Sequence, residues 1–539
     1  MPLTTSAHVD PFCRTHLPPE SEWPEFLLGE PGPRYPDRLN CATALLDDVI
    51  AEHGGDRACL LAPGERAWTY DRLRATANRI AHLLTSELGV VPGNRVLLRG
   101  PNNPWLVACW FGVLKAGAVA VTTMPMLRSG ELRDIHEIAR IDVALSDHRF
   151  LADLGAADLG VPTLAYGGPS ADDLAVRIGA HSGKFDDVPT AADDVALLAF
   201  TSGTTGRPKS TMHFHRDVLA IADTFSRHIV RPAADDVFTG TPPIAFTFGL
   251  GGLVVFPLHA GASTLLVEKA TPAELARHIG DNGVSVCFTA PTAYRAMLAS
   301  GEMPALSTLR RAVSAGEHLD AATWHEFRDA TGIALIDGIG ATEMLHIFIS
   351  ASDDDIRPGA TGRVVPGYEA RIVDEEGRPV PDGTPGRLAV RGPTGCRYLA
   401  DPRQRVYVQD GWNVTGDTFT RDADGYFWYH ARSDDMIVSS GYNIAGPEVE
   451  EAVLAHPDVI DCAVVGVPDP ARGQLVTAFV VVREGAPAGA EAAASIQRHV
   501  KATIAPYKYP RAVEFVTELP RTATGKLQRF RLREAAATT

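Results

Sequence analysis

Apolar residues recur along the chain with two periods, one near 3.6 and one of 2, and the switches between them divide it into elements. Ala44, Leu45, Val49 and Ile50 form a helical stripe that Asn40 is placed to cap, and helix and strand patterns alternate from there to about Asp147. Within this stretch the apolar run from Trp105 to Met126 is interrupted by Lys115 and Gly117. It predicts a buried helix followed by a buried strand, not a membrane span. Further on, the pattern predicts strands at 195–200, 263–267, 284–289 and 312–315, with helices at 217–228, 272–279 and 292–298. Elements alternating in this way build mainly parallel sheets covered by helices, an α/β fold.

The pattern changes near Gly362. Shorter strands separated by Glu376-Gly377, Asp382-Gly383 and Asp424-Gly425 predict a β-rich subdomain over about 362–431. Beyond it come a helix at 447–454, strands at 462–465 and 476–481, a helix at 492–504 and a strand at 512–516. The expected organisation is therefore a large N-terminal domain, 1–431, and a small α+β C-terminal domain, 432–539, with its own core.

Composition narrows the function classes. A chain of 539 residues, 45% hydrophobic and 22% charged, is long enough for several domains and is neither disordered nor fibrous. Fifty Lys and Arg against 66 Asp and Glu give a net charge of −16, which disfavours nucleic acid as a partner. The seven cysteines are scattered, with no CxxC pair to clamp zinc, and the N-terminal stretch lacks the basic start and apolar run of a signal peptide. A soluble cytoplasmic protein with no membrane association is expected. His213 and His215 invite a metal reading, but on a helix residues i and i+2 do not share a face, so no metal is assigned to them.

Chemistry concentrates first at Thr201-Ser202-Gly203-Thr204-Thr205-Gly206-Arg207-Pro208-Lys209, directly after the apolar strand. Hydroxyls, glycine-freed backbone amides and a cation within nine residues are the parts of a phosphate cradle. The spacing is not that of a Walker A loop, because Arg207-Pro208 separates Gly206 from Lys209. A polar hairpin turn is the competing reading of this string.

At this loop the sequence resembles the adenylate-forming superfamily of acyl-CoA ligases, firefly-type luciferases and peptide-synthetase adenylation domains. Asp337-Gly338-Ile339-Gly340-Ala341-Thr342-Glu343 resembles that family's second nucleotide motif, and Val414-Thr415-Gly416-Asp417 its ribose motif. Arg432-Ser433-Asp434-Asp435-Met436-Ile437 resembles its hinge, and Pro520-Arg521-Thr522-Ala523-Thr524-Gly525-Lys526 its C-terminal lysine motif. The resemblance implies an ATP-dependent enzyme that joins a carboxylic acid to AMP and then passes the acyl group to a thiol.

The same resemblance assigns roles. Thr201, Ser202, Gly203, Thr204, Thr205, Gly206 and Lys209 would hold the leaving phosphates, and Glu343 would ligate Mg²⁺. Gly316, Glu317, Asp337, Gly338, Gly340, Ala341 and Thr342 would line the nucleotide, Asp417 the ribose, and Arg432 the sugar or a phosphate. Lys526 would bridge the attacking carboxylate and the α-phosphate, although a solvated Lys in a basic tail is the plainer alternative. Asp434 would be the pivot of a mobile C-terminal domain. Ser440, Gly441 and Tyr442 would receive coenzyme A, with a plain turn at Gly441 the competing reading.

The acid is addressed by Pro242-Pro243-Ile244-Ala245-Phe246-Thr247-Phe248-Gly249, at the place of the family's acyl-pocket motif. Phe246, Thr247, Phe248, Gly249, Ala315, Gly316, His346 and Ile347 are the expected substrate contacts, and a flat Phe248 wall beside Gly249 suits a planar ring. No carboxylate opens this motif, so an α-amino acid is disfavoured. Met344-Leu345-His346-Ile347-Phe348 resembles the stretch found in benzoate- and 2-aminobenzoate-CoA ligases. His346 can hydrogen-bond the substrate or sit as a satisfied core histidine.

The expected activity is thus an aryl-acid:CoA ligase acting on 2-aminobenzoate or benzoate, with ATP, Mg²⁺ and coenzyme A. Its partners are these small molecules, and a homodimer is compatible with the chain. Three other readings stand beside it: an aryl-adenylating enzyme that loads a carrier protein, a fatty or medium-chain acyl-CoA ligase, and a nucleotide-binding pseudoenzyme.

Overall fold

The computed structural model describes residues 3–29, 32–201, 208–432, 435–439, 442–469, 472–504, 508–521 and 527–537. The chain divides into two compact units. The first comprises Met1–Ala315, Ala321–Ala370 and Val390–Val414; the second comprises Gly316–Asp320, Arg371–Ala389 and Thr415–Thr539.

The first unit holds two large sheets. In the six-stranded one the order is Thr163–Tyr166, Val143–Asp147, Arg95–Arg99, Val119–Thr123, Val195–Thr201 and Lys209–Phe214. Its first five strands run parallel, because helices such as Pro104–Lys115 carry the chain back between them. That helix begins where Asn103 accepts the Leu106 N–H at 3.0 Å and Pro104 occupies its first turn. Nearly all of it is buried, as the apolar run from Trp105 required. No helix among the described residues is long and apolar enough to cross a membrane.

The last two strands form an antiparallel hairpin whose outermost pair is Thr201 opposite Lys209. Leu198, Met212 and Phe214 anchor it in a core with Leu97, Val119, Val121 and Ala144. The hairpin corrects one expectation, since His213 lies on the strand Lys209–Phe214 and His215 is the first residue of the helix His215–Ile221. The pair therefore spans a strand-to-helix junction, and among the described residues no group of three His, Cys, Asp or Glu is arranged to hold a metal. The helix expected at 217–228 begins two residues earlier and continues as wide π-type turns over Ala222–Val230.

The nine-stranded sheet is also mainly parallel at its centre, with Arg311–Ala315 and Leu335–Gly340 side by side. The chain then reverses, and Ile347–Ser350 pairs antiparallel with Leu335–Gly340. The reversal compresses residues 341–346 into a tight connection.

Strands Glu369–Val373, Gly386–Arg391, Val408–Gln409, Trp412–Arg421 and Phe427–Arg432 form a five-stranded sheet in the region expected to be β-rich. Its turn glycines Gly383 and Gly425 have φ of +82° and +83°, a conformation only glycine adopts freely.

The second unit contains a further sheet in which Val459–Asp469 pairs with Gly473–Val482 along nearly its whole length. Successive residues of this ladder point into different cores. Val464 packs with Val449, Val453 and Val500, whereas Ala463 and Val465 pack with Leu519 and Leu532. Burial on both faces explains why these strands read as continuous apolar runs.

Candidate active site

Within the first unit, the hairpin end and the tight connection after Leu335–Gly340 come together. Lys209 Nζ lies 2.8 Å from Glu343 Oε1, and the Tyr398 hydroxyl donates to the same carboxylate oxygen and accepts from Lys209. The ammonium also stands 4.5 Å from the Tyr398 ring centroid and 5.5 Å from that of Tyr407. Burial opposes ionisation of Glu343, but the Lys209 charge and the two hydrogen bonds outweigh it and hold the carboxyl below its ordinary range. For Tyr398, burial and the neighbouring carboxylate both drive the phenol pKa upward, so it stays protonated and donates. Thr201 Oγ1, at the other side of the hairpin, is buried without a hydrogen-bond partner. Ser202, Gly203, Thr204, Thr205 and Gly206 lie outside the described residues.

Asp337 and Gly338 sit on the strand Leu335–Gly340 opposite Ser314 and Ala315. Burial pushes the Asp337 carboxyl well above its usual range, and its Oδ1 has no partner. Gly340 is required by close approach, because a Cβ there would fall 2.7 Å from the His346 carbonyl oxygen. Ala341 follows, Thr342–Met344 make one turn of 3₁₀ helix, and the next residue, Leu345, is buried with φ of +67°. A bulky side chain seldom takes this backbone conformation.

Beyond Leu345, His346 is enclosed by aromatic rings. Its centroid lies 4.6 Å from Phe256, 5.2 Å from Phe225, 5.7 Å from Phe248 and 6.4 Å from Phe288. Burial drives its pKa down to about 3, against the pull of the Phe248 carbonyl, and neither ring nitrogen completes a hydrogen bond. Gly251 presses on the ring, since a Cβ there would stand 2.3 Å from His346 Cδ2. The segment bearing Phe246, Thr247, Phe248 and Gly249 turns into a helix at Thr247, and a Cβ on Gly249 would meet the Pro243 carbonyl oxygen at 2.2 Å. Ala315 ends the strand Arg311–Ala315 and Ile347 begins the strand Ile347–Ser350; both are buried.

Several residues here have no local signature in the sequence. Tyr398 reaches Lys209 because the segment 397–399 hydrogen-bonds alongside the hairpin strand, with Met212 N–H donating to the Arg397 carbonyl at 2.8 Å and Leu399 N–H to that of Ser210 at 2.9 Å. Asn102 fixes the acyl-motif loop from both sides, donating to the Pro242 carbonyl at 3.0 Å and accepting from Ile244 N–H at 2.8 Å. Phe225, Phe256 and Phe288 belong to helices and a strand whose apolar patterns only mark them as core.

The remaining residues of interest belong to the second unit. Gly316 takes φ of +89°, and Glu317 pairs with Arg521 at 3.4 Å, which also meets Asp461 at 2.9 Å. Asp417 stands opposite Arg432 in strand register, and its backbone N–H donates to Thr415 Oγ1 at 3.3 Å. Tyr442 opens the strand Tyr442–Ala445. Asp434, Ser440, Gly441 and Lys526 lie outside the described residues.

Comparisons with known proteins bear on the whole chain. A family model described as "AMP-binding enzyme" matches residues 46–398, and one described as "AMP-binding enzyme C-terminal domain" matches 448–526. A benzoate–CoA ligase of Thauera aromatica is 35% identical, the match covering 94% of this chain and 98% of the relative. A 3-hydroxybenzoate–CoA ligase of Aromatoleum sp. (strain CIB) is 32% identical over 92% of this chain and 97% of its own. Among solved structures, an anthranilate CoA ligase in complex with anthranoyl-AMP superposes with a TM-score of 0.88 at 34% identity, covering 94% of this chain and 98% of that one. A benzoate CoA ligase from Burkholderia xenovorans LB400 gives a TM-score of 0.84 at 31% identity, covering 92% and 100%.

Proposed function

The chain belongs to the AMP-binding enzyme family, and from that premise we propose that it is an ATP-dependent aryl-acid:CoA ligase acting on 2-aminobenzoate or benzoate. The observation that supports this most is the contrast along residues 343–346. Glu343 faces a lysine and a phenol, whereas His346 stands among four phenylalanine rings, so one short segment joins a charged compartment to an aromatic one.

A carboxylate is a poor electrophile. Exchange of pyrophosphate for an acyl–phosphate bond to AMP activates it, and a thiol then displaces AMP. In our reading Thr201, Ser202, Gly203, Thr204, Thr205, Gly206 and Lys209 hold the phosphates that leave, an electrostatic and positioning task. Asp337, Gly338, Gly340, Ala341 and Thr342, together with Gly316 and Glu317, line the nucleotide, Asp417 binds its ribose, and Arg432 the sugar or a phosphate. Lys526 stabilises the charge that develops as the acid attacks the α-phosphate. The boundary between residues 431 and 432 and a pivot at Asp434 would let Ser440, Gly441 and Tyr442 take the place of Lys526 for thioester formation.

Glu343 fits the role of Mg²⁺ ligand. Mg²⁺ commonly takes one or two carboxylates together with substrate phosphates, and Glu343 is a buried carboxylate kept ionised by its surroundings. When bound, the ion neutralises phosphate charge. The Lys209 and Tyr398 contacts keep Glu343 oriented for it.

On the acid side, Phe246, Thr247, Phe248, Gly249, Ala315, His346 and Ile347 form the proposed wall. Neutral His346 brings two unpartnered nitrogens to it, one able to donate and one to accept. That capacity favours a ring with an ortho amino or hydroxyl group over a plain alkyl chain. The test is AMP release across benzoate, 2-aminobenzoate, hydroxybenzoates, phenylacetate and a medium-chain fatty acid, with ATP and Mg²⁺, with and without coenzyme A. Aryl-selective, CoA-dependent release is expected. Adenylation indifferent to coenzyme A would point to a carrier protein, and activity on the fatty acid alone would overturn the aromatic reading.

A further inference from the structure

Behind the Thr342–Met344 turn lies a buried chain of polar side chains that the proposed reaction does not use. His213 Nε2 lies 2.8 Å from the Thr342 carbonyl oxygen, so this nitrogen carries the proton and donates. Its Nδ1 faces Asp217 Oδ2 at 3.8 Å. Asp217 in turn is ion-paired to Arg397 and accepts the Phe214 N–H at 2.9 Å. Arg397 Cζ stands over the Phe214 ring, 3.8 Å from its centroid, and Nε donates to the Met212 carbonyl at 3.3 Å. His213, Asp217 and Arg397 are all fully buried.

Such a set is a costly way to fill space. Burial works against the Asp217 charge, and the Arg397 guanidinium, the His213 contact and the Arg216 charge keep its pKa low. Apolar residues of similar volume would pack the same region without that cost. What they cannot supply is a directed donor on the Thr342 carbonyl. The geometry is also paired. Lys209 and His213 lie on the same face of one strand, the first holding the Glu343 carboxylate and the second the carbonyl one residue before it. Arg397 and Tyr398, adjacent in the chain, support them in the reverse order, Arg397 backing His213 through Asp217 and Tyr398 bonding Lys209 and Glu343 directly.

We propose that His213, oriented by Asp217 and Arg397, is a positioning residue that fixes the peptide carrying Glu343. Through it, His213 sets the affinity of the site for a divalent cation with nucleotide, a consequence that rests on the function proposed above. Groups that orient metal ligands from behind in this way typically change affinity or activity ~10–100-fold when removed.

The test uses the full chain and three variants. His213→Phe keeps a ring but not the donor, His213→Gln keeps a donor of similar reach, and His213→Asn has one too short to reach the carbonyl. Hydrogen–deuterium exchange of the ligand-free protein reads the turn directly, through amides such as Leu345, whose N–H donates to the same Thr342 carbonyl. Exchange over residues 340–347 should accelerate about tenfold or more in His213→Phe and stay near wild type in His213→Gln. Mn²⁺ titrated in the presence of α,β-methylene-ATP and followed by electron paramagnetic resonance should bind about tenfold more weakly to His213→Phe, with His213→Gln regaining most of the loss. If His213→Phe does not fold, His213→Asn should show the same two losses. Unchanged exchange in the donor-less variants, or equal losses in His213→Gln, would overturn the proposal. Failure of wild type to bind Mn²⁺ with the analogue would instead overturn the function proposed above, and exchange alone would then decide the role of His213.

Discussion

Lys209 and Glu343 share a hydroxyl: Tyr398 accepts from the ammonium and donates to the carboxylate, while the two charged groups stand 2.8 Å apart. Tyr398→Phe keeps the ring against which Lys209 packs and removes only this link. Loss of hydrogen bonds to charged groups should lower the unfolding free energy by about 2 kcal/mol, measured by urea titration. Adenylation should weaken as well, because Lys209 and Glu343 each lose the hydroxyl that orients them. An unchanged urea midpoint would show the hydroxyl to be dispensable.

His346 makes stability depend on pH. Its pKa falls from 6.5 to about 3 in the folded state, so between those values the unfolded chain binds a proton that the native chain refuses. Stability contributed this way is present above pH 6.5 and is lost as pH falls toward 3. Unfolding free energies of wild type and His346→Phe, measured from pH 6 down to pH 4, should converge or cross with a differential slope of about 1.4 kcal/mol per pH unit. A constant difference between them would mean that His346 protonates freely in the native state.

Gly251→Ala places a methyl group 2.3 Å from the His346 ring, which its aromatic neighbours leave nowhere to go. Overpacking of this kind costs about 1–3 kcal/mol. The KM for the aryl acid should rise while that for ATP stays near wild type. Equal increases in both would place His346 outside the acid pocket.

Lys526→Ala should abolish adenylate formation and largely spare thioester formation from supplied aryl-adenylate. Rapid-quench measurement of the two half-reactions checks this, and equal loss in both would remove Lys526 from its proposed role.

Asp434→Pro should slow thioester formation far more than adenylation, because proline cannot absorb the backbone rotation of a pivot. Normal rates in both steps would place the pivot elsewhere.

The α/β layers were legible because burial on both faces leaves uninterrupted apolar stretches, as in 195–200 and 462–465, and because capped helices such as Pro104–Lys115 announce their starts. Less of the candidate site was legible. Lys209, Glu343 and His346 belong to recognisable strings, but Tyr398 and Asn102 act through contacts with residues far away in the chain, which no local period encodes. His213 was misplaced for a related reason. A helix does begin two residues later, but pairing with Val195–Thr201 holds His213 in a strand and turns its imidazole toward Thr342.

The left-handed Leu345 bears on how such a protein can diversify. It separates Glu343 from His346 by an inverted backbone step, so the side chains at 343 and 346 enter different surroundings. On the function proposed above, substitutions at 346 and 347 would retune which acid is accepted without re-aiming the carboxylate at 343, provided the inversion persists. On that reading Leu345 is a firewall between a variable trait and a fixed one, and a lineage that lost it would find new acids only by putting its use of ATP at risk.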